Sequence, residues 1–227
     1  MRIVLRGALS FLPIIFFIFL SLLLGRENIE VKLLKYFYNP TDGWFLKNSQ
    51  LWDFLYHFGP LPAIIMASGG CIIFIGGFFS KKLKKYAPIG LFLVLVMIIG
   101  PGLIVNALLK EHWGRPRPRQ TKEFNGKFNY HPFWQKGIAG TGKSFPSGHA
   151  STGFYLFTPY FVFRKKNKVV AYFFLILGLC AGSLIGIARM VQGAHYITDL
   201  IYSGLIVYLT AMIVSRFLKV EEMVTTK

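Results

Sequence analysis

Lys110, Arg117 and Arg189 are cations able to hold the oxygens of a phosphate group, and His149, His195 and Asp199 are residue types that move protons and attack phosphorus. They come from three separated places. Lys110 opens Lys110-Glu111-His112-Trp113-Gly114-Arg115-Pro116-Arg117-Pro118; Ser147-Gly148-His149 follows Phe145-Pro146; Arg189, His195 and Asp199 straddle the gap between two apolar runs. Arginine's planar fork suits bidentate contact with phosphate and can offset charge in the transition state. Ser147 and the backbone N–H of Gly148, at a helix start, add neutral donors where the helix dipole favours an anion. The i, i+4 spacing of His195 and Asp199 puts both on one helix face. A carboxylate beside one ring nitrogen sets the tautomer and leaves the other nitrogen to attack phosphorus. His149 then protonates the departing oxygen and later activates water. Arg115 and Arg119 are expected at the rim, drawing in an anionic substrate. His57, His112 and His131 read as interfacial polar residues. The clustered cations would repel a divalent ion, so neither a metal on His149, His195 and Asp199 nor any cofactor is expected.

The elements that must bring these residues together are apolar. Hydrophobic residues make up 54% of the 227 and charged residues 15%, with a mean hydropathy of +0.50, whereas a soluble domain carries about 25% charged residues. Several runs approach the roughly 20 residues that a bilayer core requires. The chain reads as one all-α integral membrane domain over 1–227, with six spans at 7–25, 59–80, 87–109, 147–163, 169–188 and 195–215. No small-residue cleavage site follows the first run, which reads as an uncleaved span. Trp44, Phe45, Trp52 and Phe54 favour interfacial helices within 28–57. Gly100-Pro101-Gly102 predicts a kink in the third span. Cys71 and Cys180 lie inside apolar runs and indicate neither a disulfide framework nor a metal site.

The net charge of +17 reads as topology and not as nucleic-acid binding, because basic residues accumulate in cytoplasmic loops. The clusters at 81–85 and 164–168 share a side with both termini, which makes that side cytoplasmic. Loops 26–58, 110–146 and 189–194 then face outward, and all three groups of reactive residues fall on that side. Counted over all loops, Lys and Arg divide evenly between the sides, owing to Lys110, Arg115, Arg117, Arg119, Lys122, Lys127, Lys136 and Lys143. So many cations on the disfavoured side ask for an anionic substrate. Residues 137–144 also satisfy the G-x-x-x-x-G-K-S expression of a nucleotide-binding loop, but no strand-like run precedes them and Pro146 follows, so a flexible approach to the next helix is expected.

With these residues in place, the chain resembles the type-2 phosphatidic acid phosphatase superfamily. Its signature K-x6-R-P is matched by Lys110 through Pro118, P-S-G-H by Pro146 through His149, and S-R-x5-H-x3-D by Arg189 through Asp199, with Ala188 where Ser is usual. The substitution puts one hydrogen bond in doubt. The resemblance implies a metal-independent phosphatase with a phosphohistidine on His195 and His149 as acid/base, acting on a lipid phosphate or diphosphate from the outer leaflet. Stretches between Trp113 and Trp134 look like the corresponding loop of bacterial lipid A 1-phosphatases, which implies lipid A, its 1-phosphate, and the periplasmic face of the inner membrane. Phosphatidylglycerophosphate, phosphatidic acid and undecaprenyl diphosphate are the competing substrates, and an anionic-lipid transporter is the reading from another class. The partners expected are the lipid substrate and the bilayer, with no obligate protein partner.

Overall fold

The computed structural model describes residues 12–26 and 29–223. They form α1 (Leu12–Gly25), α2 (Ile29–Leu34), α3 (Gln50–Phe58), α4 (Leu61–Phe79), α5 (Ala87–Met97), α6 (Gly148–Tyr155), α7 (Lys168–Val191) and α8 (Ile197–Phe217), with shorter helical turns between them. No β-strand occurs among the described residues. The chain is all-α, as its composition predicts.

Among the described residues, four stretches are long and apolar enough to cross a membrane: Gln50–Phe79, Ala87–His112, Lys168–Val191 and Ile197–Phe217. The expected count of six depends on two further segments. Residues 7–11 of the first lie outside the described residues, as do Arg2 and Arg6, and α1 covers its remainder. The fourth is not one continuous helix: α6 stops at Tyr155, a turn follows, and helix resumes over Tyr160–Phe163. Pro159 in that turn has no N–H to continue the ladder. Most side chains of α6 are buried, because α7 and α8 pack on it. At the α6–α7 crossing a Cβ on Gly153 would stand 2.7 Å from the Gly182 Cα, so the backbones meet without side chains between them. The helix that carries His149 is therefore the centre of the bundle.

Around Pro101, where the sequence predicts a kink, the helix departs from regular α geometry. Ile98–Leu109 winds as a wide π-type helix, and the Asn106 side chain donates to the Pro101 carbonyl at 2.7 Å. Proline and wide turns of this kind are both common causes of a bend in a helix. The helix then closes with Lys110–His112.

Helices α2 and α3 occupy the region where interfacial helices are expected, although α3 runs on through Gly59-Pro60 into α4 as one 30-residue stretch. Phe45, Trp52 and Phe54 keep at least partial exposure, whereas Trp44 is buried. Its ring packs 5.0 Å from Phe124 and lies beneath Gly193, where any Cβ would stand 2.3 Å from the indole. Loop 110–146 is thereby pressed against the turn that holds His195. Residues 137–144 show no nucleotide-loop geometry: the Gly137 N–H donates to the Trp113 carbonyl at 2.9 Å and the Ser144 N–H to the Arg115 carbonyl at 3.0 Å.

Candidate active site

A cleft of about 350 Å³ is lined by Lys110, Arg117, Arg119, His149, Arg189 and His195, together with Lys47, Asn48, Asp53, Tyr56 and Gln192. Six residues singled out in the sequence therefore meet at one place, from the end of the π-type helix, loop 110–146, the start of α6, the end of α7 and the turn before α8. Among the described residues none of the five cleft cations makes an ion pair with a carboxylate. The Nε of Arg189 is buried without a hydrogen-bond partner among the described residues, as suits a donor kept for an anionic ligand. Its Nη1 donates to the Gln192 carboxamide oxygen. Partial burial, then the charge of Arg119, lowers the Arg117 guanidinium below its ordinary range.

His195 is 1% exposed. Its Nδ1 stands 2.6 Å from the Ser144 carbonyl oxygen and 3.5 Å from Asp199 Oδ2. Both neighbours only accept, so in the neutral ring the proton sits on Nδ1 and Nε2 keeps its lone pair. Burial brings the imidazole down to about 4, against the opposing pull of Asp199, so the ring is neutral at physiological pH. The i, i+4 spacing assigns the orienting role to Asp199; the closer partner is the Ser144 carbonyl, with Asp199 behind it.

Asp199 is fully buried and is held from several sides. Oδ1 accepts from Arg115 Nη1 at 2.5 Å, while Oδ2 accepts from the Ser144 hydroxyl at 2.6 Å and from the Tyr196 N–H at 2.8 Å. The last bond caps the first turn of α8 with the helix's own acid. Ala188, where a serine is usual, is buried, and the hydroxyl that reaches Asp199 comes from Ser144.

Three expectations are corrected here. Arg115 is not a rim residue: it is 0% exposed, and its guanidinium bonds Asp199, Glu30, the Thr198 hydroxyl and the His131 carbonyl. Asp199 and Glu30 outweigh burial and hold it above the usual arginine range. Ser147 and Gly148 do not line the cleft; Ser147 is buried, and its Oγ caps α6 by accepting the Ala150 N–H at 3.4 Å. Finally, only Lys110, Arg117 and Arg119 of the eight cations in loop 110–146 line the cleft. Arg115 is spent inside, and Lys143 pairs with Glu111 at 2.6 Å on the surface. Arg119 is exposed at the cleft, as expected of a rim charge.

Three further contributors are not legible in the motifs. Tyr56, on α3, stacks on His149 at 4.9 Å with 24° between the rings, and the Arg189 guanidinium lies 4.4 Å over its face. Its spacing offers no signal beyond an aromatic, interfacial stretch. Asn106 accepts from Lys110 Nζ at 3.4 Å and sits so near Gly148 that a Cβ there would meet its Oδ1 at 2.4 Å. Glu30 is the third. Aromatic stacking and a cation over a ring each contribute about 1 kcal/mol. Tyr56→Ala is therefore expected to lower kcat/KM about ten-fold, with Tyr56→Phe within about two-fold of the parent, as steady-state phosphate release would read.

No group of three or more His, Cys, Asp or Glu among the described residues is arranged to hold a metal ion. Cations around two histidines instead suit an oxyanion.

Residues 90–222 match the PAP2 superfamily. The chain is 35% identical over 192 residues to the lipid A 4′-phosphatase of Francisella tularensis subsp. novicida, covering 82% of this chain and 85% of that relative. It is 37% identical over 129 residues to a lipid A 4′-phosphatase of Rhizobium etli and 37% identical over 114 residues to one of Rhizobium leguminosarum. These cover 55% and 48% of this chain and 46% of each relative. No solved structure gives a significant match. With the family matched over more than half its length and a relative aligned along most of both chains, this chain belongs to the PAP2 superfamily and is a membrane phosphatase.

Proposed function

We propose that this protein removes the 4′-phosphate of lipid A at the periplasmic face of a bacterial inner membrane, with both termini cytoplasmic. The observation that carries the reading is the cleft itself: cations without carboxylate partners among the described residues surround a buried His195 whose Nδ1 stands 2.6 Å from the Ser144 carbonyl. The three relatives described above are named for the 4′ position, whereas the resemblance of loop 113–134 implies the 1-phosphate. The basic clusters of the short loops at 81–85 and 164–168 support the orientation.

In this mechanism Lys110, Arg117 and Arg189 bind the phosphate oxygens, and Arg189 uses its free Nε–H. The Nε2 lone pair of His195 forms an N–P bond as the P–O bond to the sugar breaks. His149, brought down to about 4 in the free enzyme by burial and then by Arg189, takes up a proton as the bound phosphate offsets the neighbouring cations and passes it to the departing oxygen. Water then attacks phosphorus, its proton goes to His149, and the N–P bond breaks to release inorganic phosphate. No step uses a metal, so excess chelator is expected to leave the rate unchanged.

Incubating the purified protein with lipid A, phosphatidylglycerophosphate, phosphatidic acid and undecaprenyl diphosphate, then weighing and fragmenting the products, tests the assignment. Loss of one phosphate from the 4′ end is expected. Loss from the 1 position would reverse the regiochemistry, and untouched lipid A would end the proposal. Exposed Arg119 adds attraction for a glycolipid bearing several charges. Arg119→Ala is expected to raise KM about five-fold with little change in kcat, the difference shrinking at high salt.

A further inference from the structure

Glu30 lies on α2, outside residues 90–222 that match the family, yet it is 0% exposed beneath the catalytic turn. Its Oε1 accepts from Arg115 Nη2 and from the Tyr130 hydroxyl, and its Oε2 accepts from the Thr198 hydroxyl at 2.5 Å. Thr198 Oγ1 also accepts from Arg115 Nη1 at 2.9 Å. Arg115 Nη1 reaches Asp199 in turn, and Asp199 Oδ2 stands 3.5 Å from His195 Nδ1. Two buried carboxylates thus share one buried guanidinium, which leaves one net negative charge behind the histidine.

We infer that Glu30 is a positioning residue for the phosphoryl transfer, neutralising Arg115 so that Asp199 presents an uncompensated negative charge to His195. The inference rests on the phosphohistidine reading above. When Nε2 bonds to phosphorus, the ring retains its Nδ1–H and becomes cationic, so an anionic neighbour favours that state over the resting one. A lone Arg115–Asp199 pair would cancel and offer His195 little. Glu30 restores the imbalance without touching the substrate, and through Thr198 it also ties α2 to the first turn of α8. A purely structural role would predict damage that grows with each bond removed. Charge balance predicts otherwise, because removing Arg115 and Glu30 together returns the group to its native net charge, and deleting both partners of a buried pair is milder than deleting one.

The full-length protein in detergent tests this with Glu30→Gln, Arg115→Gln and the double variant. Folding is checked by size exclusion and thermal unfolding, kcat and KM are measured on lipid A, and phosphoenzyme is followed by acid-free quench with radiolabelled substrate. Glu30→Gln is expected to lower kcat about 10- to 100-fold, with KM within about three-fold and slower appearance of phosphoenzyme. The double variant should be at least about five-fold faster than Glu30→Gln. An unchanged kcat in Glu30→Gln, a change confined to KM, or a double variant no faster than that single would overturn the inference. Should Glu30→Gln not fold, the double variant is compared with the parent: a kcat within about ten-fold of the parent supports charge balance, and a larger loss refutes it. Wild-type turnover without any phosphoenzyme would instead refute the phosphohistidine reading itself, and the inference would fall with it.

Discussion

Replacing His195 with Ala is expected to reduce phosphate release by at least about 10⁴-fold while the protein remains folded, on the scale of losing a covalent nucleophile. The side chain lines the cleft with the Ser144 carbonyl at 2.6 Å as its nearer acceptor and Asp199 Oδ2 at 3.5 Å. Truncation removes these contacts but leaves Asp199 held by Arg115, Ser144 and the Tyr196 N–H. The stability loss should therefore be modest against the catalytic loss. Substrate binding should persist in the variant, because Lys110, Arg117 and Arg189 are untouched. Quenched assays should find radiolabelled phosphoenzyme in the parent and none in His195→Ala. The same residue sets an expectation for pH. Attack requires neutral imidazole, and burial brings His195 from the ordinary histidine value to about 4. The acid limb of kcat/KM governed by this group should fall as pH drops through about 4, while activity near pH 6 escapes it. A limb near the unperturbed histidine value of about 6.5 would show that burial does not tune the nucleophile.

Arg115→Ala should produce the largest loss of stability of any single substitution in the outward loop. The substitution strands two fully buried carboxylates, Glu30 and Asp199, and breaking a buried pair from one side costs about 3–5 kcal/mol. For a chain of this size that corresponds to a fall of roughly 10 °C in the unfolding midpoint, measurable in detergent by intrinsic fluorescence. Activity should fall with it, since Asp199 loses its Oδ1 partner and the His131 carbonyl loses the Arg115 Nε–H at 2.8 Å. Arg119→Ala is the internal control. Exposed, and without a carboxylate partner among the described residues, it should leave the midpoint unchanged. Equal midpoints for both variants would mean that the buried network contributes nothing net.

Much of the site is legible in residue type and spacing alone. Lys110, Arg117, His149, Arg189 and His195 each stand out on those grounds, and all of them line one cleft. Hydropathy exposes the long helices because a bilayer-spanning segment must carry its apolar residues contiguously. Where the fourth apolar run departs from a plain span, the chain carries the reason in Pro159, but not the consequence that α6 is enclosed by α7 and α8.

What the sequence by itself determined is the chemistry available and the family that carries it: cations, two histidines and an acid at fixed local spacings beside long apolar helices. Only the tertiary structure decided which of several similar charges does which task. Arg115 and Arg117 are two positions apart in one basic loop, yet one is sealed inside and the other faces the cleft, because the partners of Arg115 stand 84 and 85 positions away at Asp199 and Glu30. Tyr56 on His149 and Ser144 on His195 are likewise contacts between segments distant in the chain. Local spacing reports which residues share a helix face; it says nothing about which buried charge another segment will bring to meet it.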